Sequence, residues 1–396
     1  MADRIASLAD ILAPMSEETF MRDYFGQKPL HLEGAAEKFQ PVMDWPTLTD
    51  LVNQSAIWSS KSLALVMDGR RLAPEEYCRR DLSRHGMELM MADMGRVKEW
   101  LGKGASMVLN EIDQLTPGLR EAAGALEQAL NGKAQGNLYC SWKAHPAFGS
   151  HFDTHDVFAI HVAGEKVWNV YQRHFLDPIA HPRFKNLDHA FDEAHKGALE
   201  QKVRLTPGDL LYLPRGFYHD ALAESDAAVH IAFGVTYPIG LDLIGPLHAR
   251  LVEDELFRAR LPTGDRDALD RHVDTLAERL RELATEAGVG DQLYRIAEDF
   301  RYDRTELSLP DDGGTGTSYR VDLPDIQIAT VSGKRCMVRK QQAVPIPAGL
   351  EPPIAWVLKS KTFRENDLAK AHPELSEHAR QRLLQNLRNM DVISEI

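Results

Sequence analysis

Strand-like segments dominate residues 136–238 of the chain. Four of them are rich in Val, Ile, Tyr, Phe and Trp: NLYCSWK, VFAIHVAGEKVWNVYQ, KVRLTPGDLLYLPRG and AAVHIAFGVTYP. Gly164-Glu165 and Pro207-Gly208-Asp209 have the composition of hairpin turns between strands. Short strands joined in this way predict an antiparallel barrel or jelly roll. The polar, His-rich stretch 175–200 is interpreted as a surface loop.

Helical patterns flank this region. Residues 1–135 alternate helical stretches with short strands, and residues 241–303 read as helices. In the second stretch apolar residues recur with a helical period, and Gly288 is the predicted C-cap. The recurring positions are Leu269, Val273, Leu276, Leu280, Leu283 and Ala287. We expect these helices to form a bundle that packs on the barrel or on a second subunit.

The C-terminal part begins with a linker by composition, SLPDDGGTGTSY at 308–319. Strand-like IQIATVSG and CMVRK follow, and then two helical stretches, which together predict a winged-helix-like module. The expected fold class is therefore α+β. We predict a barrel domain at 1–240, a helical region at 241–305 and the winged-helix-like domain at 306–396.

Composition narrows the functional classes. The chain has 396 residues, of which 43% are apolar and 27% charged, as in a globular protein. It contains no apolar run of membrane-spanning length and no signal-peptide pattern at its start. Three separated cysteines without a C-x-x-C pair favour a reducing cytoplasm. A net charge of −13 argues against nucleic-acid binding by the whole surface, although the tail after residue 333 has 11 basic against 7 acidic residues.

The motif with the clearest chemistry is His151-Phe152-Asp153. In a strand, residues i and i+2 point to one face, so the imidazole and the carboxylate can share a cation. His219, after the strand GDLLYLP, is the best third ligand. Two histidines and one carboxylate form the facial triad of non-heme Fe(II) oxygenases, whose open positions favour iron over zinc. The alternative is a surface histidine beside a solvated aspartate.

Other histidines compete for the metal, because the chain has 16 of them. Strand alternation would put His155 and His161 on the face of His151, unless a turn or bulge follows Asp153. His230 lies on the strand after His219. It is a ligand, a second donor that orients the ligands, or a satisfied barrel histidine, and the last two interpretations are favoured.

These residues resemble a known family. The run from Asn137-Leu-Tyr-Cys-Ser through H-F-D-T-H-D-V-F and G-E-K-V-W-N-V-Y to P-G-D-L-L-Y-L-P-R-G-F-Y-H is similar to the JmjC-type 2-oxoglutarate oxygenases. Within them it most resembles the ribosomal oxygenases, over residues 15–240 and more loosely to the C-terminus. The resemblance implies a double-stranded β-helix (cupin) barrel, a helical dimerisation region and a C-terminal winged-helix domain.

The resemblance also implies a set of site residues and cofactors. Fe(II) would be bound by His151, Asp153 and His219, with 2-oxoglutarate and O₂ as co-substrates. Lys166 would pair with the far carboxylate of 2-oxoglutarate, as a chelating dicarboxylate requires a cation at its other end. The alternative is a solvent-facing hairpin lysine. Ser141 matches the family's Thr/Ser before the H-x-D motif.

Two further co-substrate contacts share the strand face of Ser141. Tyr139 can donate a hydrogen bond there, although a plain barrel aromatic is the alternative, and Asn137 is the weaker candidate. The expected reaction is hydroxylation of an Arg or His side chain in a ribosomal protein, by a homodimer. An acidic body suits a basic substrate. Contact of the tail with RNA is compatible with its charge, and a protein-docking or a purely structural role is equally compatible.

Three other functions stay open on the sequence. The first is an iron oxygenase acting on a small molecule, for which the helical region and the tail are large additions. The second is a non-catalytic JmjC-like binding module, against which the complete triad and Lys166 argue. The third is histone demethylation, although the chain shows nothing that resembles a histone-reading module.

Overall fold

The computed structural model describes residues 4–82, 88–142, 148–185, 187–225, 227–286, 288–304, 317–323, 325–331, 333–339, 342–347 and 349–396. The chain forms two compact units, Met1–Thr305 and Glu306–Ile396. The predicted linker falls largely outside the described residues. Within the described part, no helix is both long and apolar enough to cross a membrane.

The first unit opens with short helices and strands. The helices are α1 (Leu8–Leu12), α2 (Glu17–Asp23), α3 (Trp45–Asn53), α4 (Pro74–Tyr77), α5 (Met94–Gly102) and α6 (Pro117–Leu130). The strands are β1 (Leu30–Leu32), β2 (Leu63–Met67), β3 (Arg70–Arg71), β4 (Cys78–Leu82), β5 (Glu88–Ala92) and β6 (Ser106–Leu109). Polar N-caps begin the helices: the Ser16 and Thr116 side chains, for example, accept hydrogen bonds from the first turns of α2 and α6.

Seven strands then build the barrel. They are β7 (Lys133–Ser141), β8 (Asp156–Ala163), β9 (Lys166–His174), β10 (Leu199–Leu205), β11 (Leu210–Leu213), β12 (Phe217–Ala223) and β13 (Ala228–Thr236). One sheet has the order β1-β11-β8-β13-β7-β6-β2-β3 and the other β10-β9-β12, and the pairs within them are antiparallel. This architecture confirms the predicted antiparallel jelly roll.

Strand alternation gives the larger sheet two different faces. On β8, Val157 and Ala159 pack with Trp168 of the smaller sheet inside the barrel. Phe158 and Ile160 point the other way, into a core shared with α1 and α6. On β7 it is Leu138 and Cys140 that enter this outer core. The odd-numbered residues of β7 therefore face the barrel interior, together with the alternate side chains of β8 and β13.

The stretch between β9 and β10 was predicted to be a loop, and this prediction is wrong. It contains two short helices, α7 (Pro182–Lys185) and α8 (His189–His195). Asp188 caps α8 by accepting a hydrogen bond from Phe191 N at 2.7 Å. Gly197, with a φ of 75°, follows the end of the helix. Local capping therefore gives helical structure to a segment whose polarity resembled that of a loop.

Helices follow the barrel, as predicted. They are a 3₁₀ turn (Gly240–Leu243), α9 (Ile244–Glu253), α10 (Glu255–Arg258), α11 (Arg266–Thr285) and α12 (Val289–Glu298). Gly288 was predicted to end α11, but the helix stops at Thr285, and Gly288, with a φ of 88°, is the N-cap of α12. Ala287 lies outside the described residues.

A buried cluster of one arginine and two carboxylates attaches the end of this helical region to the barrel. Arg304 Nε donates to Glu127 of α6 at 2.7 Å, and Arg304 Nη1 donates to Asp113 at 2.8 Å. These three side chains are 9% or less exposed. Arg304 Nη2 also donates to the carbonyl of Ala134 on β7 at 2.6 Å. Residue 304 is therefore held against the outside of the larger sheet.

The second unit has its own core. Its strands are β14 (Ser318–Val321), β15 (Gln327–Val331), β16 (Lys334–Arg339), β17 (Gln342–Pro345), β18 (Thr362–Arg364) and β19 (Ile393–Glu395), and its helices are α13 (Glu351–Lys359), α14 (Glu365–Ala371) and α15 (Glu377–Asn389). They form two three-stranded sheets, β18-β14-β19 and β15-β16-β17. Tyr319, Val357 and Leu384 are among the buried residues that hold the unit together.

Candidate active site

The three predicted metal ligands converge at one mouth of the barrel. The ligand atoms of His151, Asp153 and His219 lie within 4.8 Å of one another. His151 and His219 form an isolated antiparallel bridge with N–H···O distances of 3.0 and 2.8 Å. The pairing of β12 with β9 is irregular between Phe217 and His219. Asp153 differs from the expectation, because it lies in an extended loop before β8 and not within a strand.

Backbone carbonyls fix the tautomers that a metal needs. Nδ1 of His151 lies 2.9 Å from the carbonyl of Gly149, and Nδ1 of His219 lies 2.9 Å from that of Phe217. With Nδ1–H donating, each Nε2 keeps its lone pair for a cation. His219 Nε2 is 3.5 Å from Asp153 Oδ2. The donor set of two Nε2 atoms and one carboxylate oxygen therefore fits a divalent metal ion.

Electrostatics keeps His219 and Asp153 in the protonation states of metal ligands. Burial, with the adjacent His151, lowers the pKa of His219 to about 4, so its imidazole is neutral at physiological pH. Burial raises the pKa of Asp153, but the imidazoles of His155, His151 and His219 outweigh it and hold this pKa below its usual value. The site thus presents the carboxylate of Asp153 beside the neutral imidazole of His219 before any metal binds.

A hydrogen-bond network holds the two ligand-bearing segments together. Ser150, next to His151, donates to Asp220 Oδ2 at 2.7 Å, and Tyr171 donates to the same oxygen at 2.5 Å. Asn169 donates to Asp220 Oδ1 at 2.8 Å. Because Asp220 follows His219 directly, this network fixes the spacing between both histidine ligands.

Neither competing histidine joins the triad. A bend at Thr154 and His155 precedes β8. His155 Nε2 lies 4.0 Å from Asp153 Oδ1, whereas His219 is close to the other carboxylate oxygen, Oδ2. His161 is buried at the far end of β8, with Nε2 2.9 Å from the carbonyl of Gly164. The bend is therefore the reason why alternation does not extend from His151 along β8.

Lys166 is buried inside the barrel. On β9 it pairs with Leu205 of β10 along one edge and with Ala223 of β12 along the other, and it is 3% exposed. Burial lowers the pKa of its ammonium to about 8. Among the described residues, no carboxylate lies within ion-pair distance of this group. It is therefore a buried lysine without a counter-ion and not a solvent-facing hairpin residue.

Aromatic rings surround the Lys166 ammonium. Its Nζ lies 6.0 Å from the ring centroids of both Tyr139 and Trp168. The Tyr139 ring stacks on His230 at 4.8 Å, and Trp168 stacks on His219 at 5.6 Å. Trp168 thus lies between the lysine and the metal ligands, and the sequence analysis missed it. Its position two residues after Lys166 on the same strand face is the signal that could have found it.

Polar atoms without partners also occur on the barrel strands β7, β9 and β13. Ser141 Oγ, Trp168 Nε1 and His230 Nδ1 are buried and have no hydrogen-bond partner. Native proteins rarely leave such atoms unsatisfied, so they indicate a place for a polar ligand. His230, whose pKa is well below the usual 6.5 through burial, is therefore not the fully satisfied histidine of one prediction.

Asn137 has a different environment from Ser141. Its Oδ1 accepts a hydrogen bond from Glu111 N at 3.0 Å, and Glu111 has a φ of 57°. This bond supports a left-handed backbone position on the neighbouring connection. The contact favours a structural role for Asn137, whereas the Tyr139 ring lies 6.0 Å from the lysine ammonium and stacks on His230, and Ser141 Oγ is one of the buried atoms without a partner.

Comparison with known proteins agrees with this geometry. Residues 119–243 match the JmjC domain family. This part of the chain is therefore similar to the JmjC domain, in agreement with the cupin-type fold predicted for the barrel. Among its relatives, YxbC of Bacillus subtilis is 25% identical over 324 residues, which are 76% of this chain and 94% of that protein.

Several other relatives carry the names of oxygenases and hydroxylases. Human ribosomal oxygenase 1 is 29% identical over 47% of this chain and 31% of its own length. The bifunctional lysine-specific demethylase and histidyl-hydroxylase NO66 of Drosophila persimilis is 23% identical over 75% of this chain, which spans 44% of that protein. The structure of the Escherichia coli ribosomal oxygenase YcfD is 17% identical with a TM-score of 0.50, covering 96% of this chain and 98% of that one. That likeness shows a shared fold.

Proposed function

We propose that the protein is an Fe(II)- and 2-oxoglutarate-dependent protein hydroxylase. The proposal rests on one observation: the same barrel holds a cation-binding site and, separately, a buried positive charge. A metal-binding triad, His151, Asp153 and His219, lies on one side of Trp168, and the buried, uncompensated Lys166 lies on the other. A ligand with a chelating end and a second carboxylate matches both, and 2-oxoglutarate has this form.

The roles of the chain's own residues follow from their positions. The Nε2 atoms of His151 and His219 and the Asp153 carboxylate bind the metal on one face and leave its other face open. Lys166 binds the far carboxylate of the co-substrate, and Ser141 donates a hydrogen bond from the same wall. When bound, iron, 2-oxoglutarate and O₂ supply the oxidising chemistry that a side chain cannot supply.

The aromatic wall has a separate role. Tyr139 and Trp168 border the ammonium of Lys166 and exclude water from it, which strengthens its attraction for a carboxylate. Tyr139 stacks on His230 and lies 6.0 Å from the Lys166 ammonium, and we propose it as a second co-substrate contact. Asn137 is retained only as the structural support of this wall, because its amide oxygen is already bonded to Glu111.

The substrate class rests on the relatives. Because relatives carry the names ribosomal oxygenase and histidyl-hydroxylase, we propose an Arg or His side chain of a ribosomal protein as the target. The net charge of −13 suits a basic partner. Reduced Cys78, Cys140 and Cys336, all buried and free, support action in the cytoplasm.

The remaining regions complete the proposal. We assign residues 1–240 to the JmjC catalytic domain, 241–305 to dimerisation and 306–396 to a winged-helix-like domain. Exposed apolar side chains in the helical region support self-association: Leu241 is 60% exposed, Ile244 55% and Tyr294 65%. Light scattering of the purified protein tests the homodimer directly, and a monomer at micromolar concentration would exclude it.

The central test is anaerobic Fe(II) binding followed by succinate formation. Wild type is compared with His151→Ala, Lys166→Met and the control His248→Ala, an exposed histidine on α9. We expect His151→Ala to lose tight metal binding and Lys166→Met to keep metal but lose turnover at low 2-oxoglutarate. Metal binding without 2-oxoglutarate consumption in any protein would favour a binding module, and turnover with a small molecule alone would favour the small-molecule oxygenase.

A further inference from the structure

An open cavity of about 540 Å³ borders the metal site. His151, one of the proposed ligands, forms part of its wall, beside Phe148. Asp192 and His189 of α8 form another part, and Asp68 of the β2–β3 turn a third. The volume lies within the roughly 300–1,000 Å³ of typical ligand pockets. A side chain that enters this cavity therefore reaches the immediate neighbourhood of the metal.

Asp192 is the unusual residue of the cavity. Only 9% of it is exposed, yet its Oδ1 is buried without a hydrogen-bond partner. A buried carboxylate oxygen in this state costs free energy unless a donor binds it. Burial accordingly raises the pKa of Asp192. Tyr218, whose hydroxyl is buried without a partner within 3.5 Å, lies next to Asp192, and burial, the Asp192 charge and a weak hydrogen-bonding interaction with this carboxylate raise the pKa of Tyr218 to about 12.

The other lining groups also favour a cation. None of the described lining residues is a lysine or an arginine, and two are aspartates. Lys196, at the end of α8, is already engaged, because its Nζ donates to Glu193 at 2.7 Å and to Ser150 at 2.9 Å. Phe148 is 40% exposed at the rim, where its ring face can bind a cationic group.

We propose that Asp192 anchors the cationic head of a protein side chain, a guanidinium or an ammonium, beside the metal site. This inference rests on the proposed function and deepens it. A planar guanidinium is matched to a carboxylate by two parallel hydrogen bonds, whereas a neutral amide leaves the charge uncompensated. With its head on Asp192, the carbon stem of the side chain passes His151 and the metal. Helix α8 then determines which substrate side chain is bound, and Asp192 is the residue that recognises its positive charge.

The test measures binding, so that it does not depend on turnover. The anaerobic complex of the protein with Fe(II) and 2-oxoglutarate is applied to peptides tiled over ribosomal proteins. Each peptide is made with arginine and with citrulline, its uncharged isostere, and each lysine peptide is paired with its acetyl-lysine form. Dissociation constants of the bound peptides are measured by fluorescence anisotropy. The variants are Asp192→Asn, Phe148→Leu and the matched control Asp188→Asn, an exposed acid on α8 whose replacement keeps an N-cap.

We expect wild type and Asp188→Asn to bind the charged form at least about 10-fold tighter than its neutral partner. Asp192→Asn should bind both forms equally, and Phe148→Leu should reduce the preference by a few-fold. The inference is overturned if Asp192→Asn keeps the full preference, or if wild type prefers no cationic peptide of either kind. Comparison of the two peptide series shows whether a guanidinium or an ammonium is bound.

The same material separates this inference from the proposed function. Succinate formation by aerobic wild type without peptide reports the metal and co-substrate chemistry alone. Turnover together with an unchanged preference in Asp192→Asn would remove the role of Asp192 and leave the hydroxylase. A preference that depends on Asp192 without any consumption of 2-oxoglutarate would keep the cation site and remove the hydroxylase.

Discussion

Replacement of Lys166 by methionine should make the protein more stable and less able to bind its co-substrate. The ammonium is 3% exposed and has no carboxylate partner among the described residues, and burial lowers its pKa from 10.5 to about 8. At about 1.4 kcal/mol for each tenfold change, this fall corresponds to about 3 kcal/mol against the charged form in the folded protein. Methionine has a similar shape without the charge, so the variant avoids this cost.

The sign of the pH dependence follows from linkage. Between the folded pKa of about 8 and the unfolded pKa of 10.5 the unfolded chain binds the extra proton, so the free energy of unfolding of wild type rises with pH. Below pH 8 both states are protonated, and the penalty is fully present. The advantage of Lys166→Met should therefore be about 1–3 kcal/mol at pH 7 and should disappear toward pH 10.5.

Two assays examine the same variant. Urea unfolding of the metal-free protein at pH 7 and pH 10 gives the difference in free energy of unfolding, in which the other titrating groups cancel. Titration of the Fe(II)-loaded protein with 2-oxoglutarate gives its affinity, which should fall by about 100-fold, as expected for loss of a buried ion pair worth about 3 kcal/mol. If Lys166→Met is less stable than wild type at both pH values, or binds 2-oxoglutarate equally well, the reasoning about an uncompensated charge is wrong.

Three further substitutions probe neighbouring groups. Ser141→Ala removes a buried hydroxyl without a partner, so 2-oxoglutarate should bind about 10-fold more weakly while the melting temperature of the free protein does not fall; a lower melting temperature would contradict this. Asn137→Ala removes the hydrogen bond from Glu111 N and should lower the free energy of unfolding in urea by about 1–2 kcal/mol. The KM for 2-oxoglutarate should not change, and a changed KM would refute the structural role. Arg304→Met leaves two buried carboxylates unpaired and should cost about 3–5 kcal/mol in urea unfolding at pH 7, whereas a loss under about 1 kcal/mol would mean that solvent reaches them.

The barrel could be predicted from the sequence because its strands repeat a simple physical pattern. Val157 and Ala159 alternate with Phe158 and Ile160, and both sets are apolar because β8 has a core on each side. The turns at Gly164 and Gly208 require positive φ values of 67° and 94°, which glycine adopts without strain. The turns are therefore predictable, but neither closes a hairpin: β8 pairs with β11 and β13, and β9 pairs with β10 and β12, so each turn crosses from one sheet to the other.

The surroundings of the site were less predictable, because they depend on long-range packing. Alternation from His151 would include His155, but a bend at Thr154 ends the extended run and sends His155 to the opposite carboxylate oxygen. Asp192 had no signal as a functional group, since its burial depends on how α8 packs near His151. The helix itself was readable from Asp188 as N-cap and Gly197 beyond its end.

Lys166 shows the same limit from the other side. Its position at the start of a hairpin strand is equally compatible with a solvent-facing residue, and the strand pattern alone leaves both interpretations open. The structure decides between them because β10 and β12 pair on both edges of β9 and enclose the side chain. Local sequence patterns do not predict which strands flank β9, so the burial of Lys166 becomes apparent only in the assembled sheet.

The uncompensated charges inside this barrel indicate that Fe(II) and 2-oxoglutarate bind cooperatively. The metal ligands are held by backbone pairing of His151 with His219, so they need no metal to come together. Within the described part of the chain, Asp153 has no lysine or arginine within ion-pair distance, and Lys166, beyond Trp168, has no carboxylate. A metal alone compensates the first charge and 2-oxoglutarate alone the second, but the chelated pair compensates both and joins them. Because binding free energies are reciprocal, Fe(II) should raise the affinity for 2-oxoglutarate by the same factor by which 2-oxoglutarate raises the affinity for Fe(II).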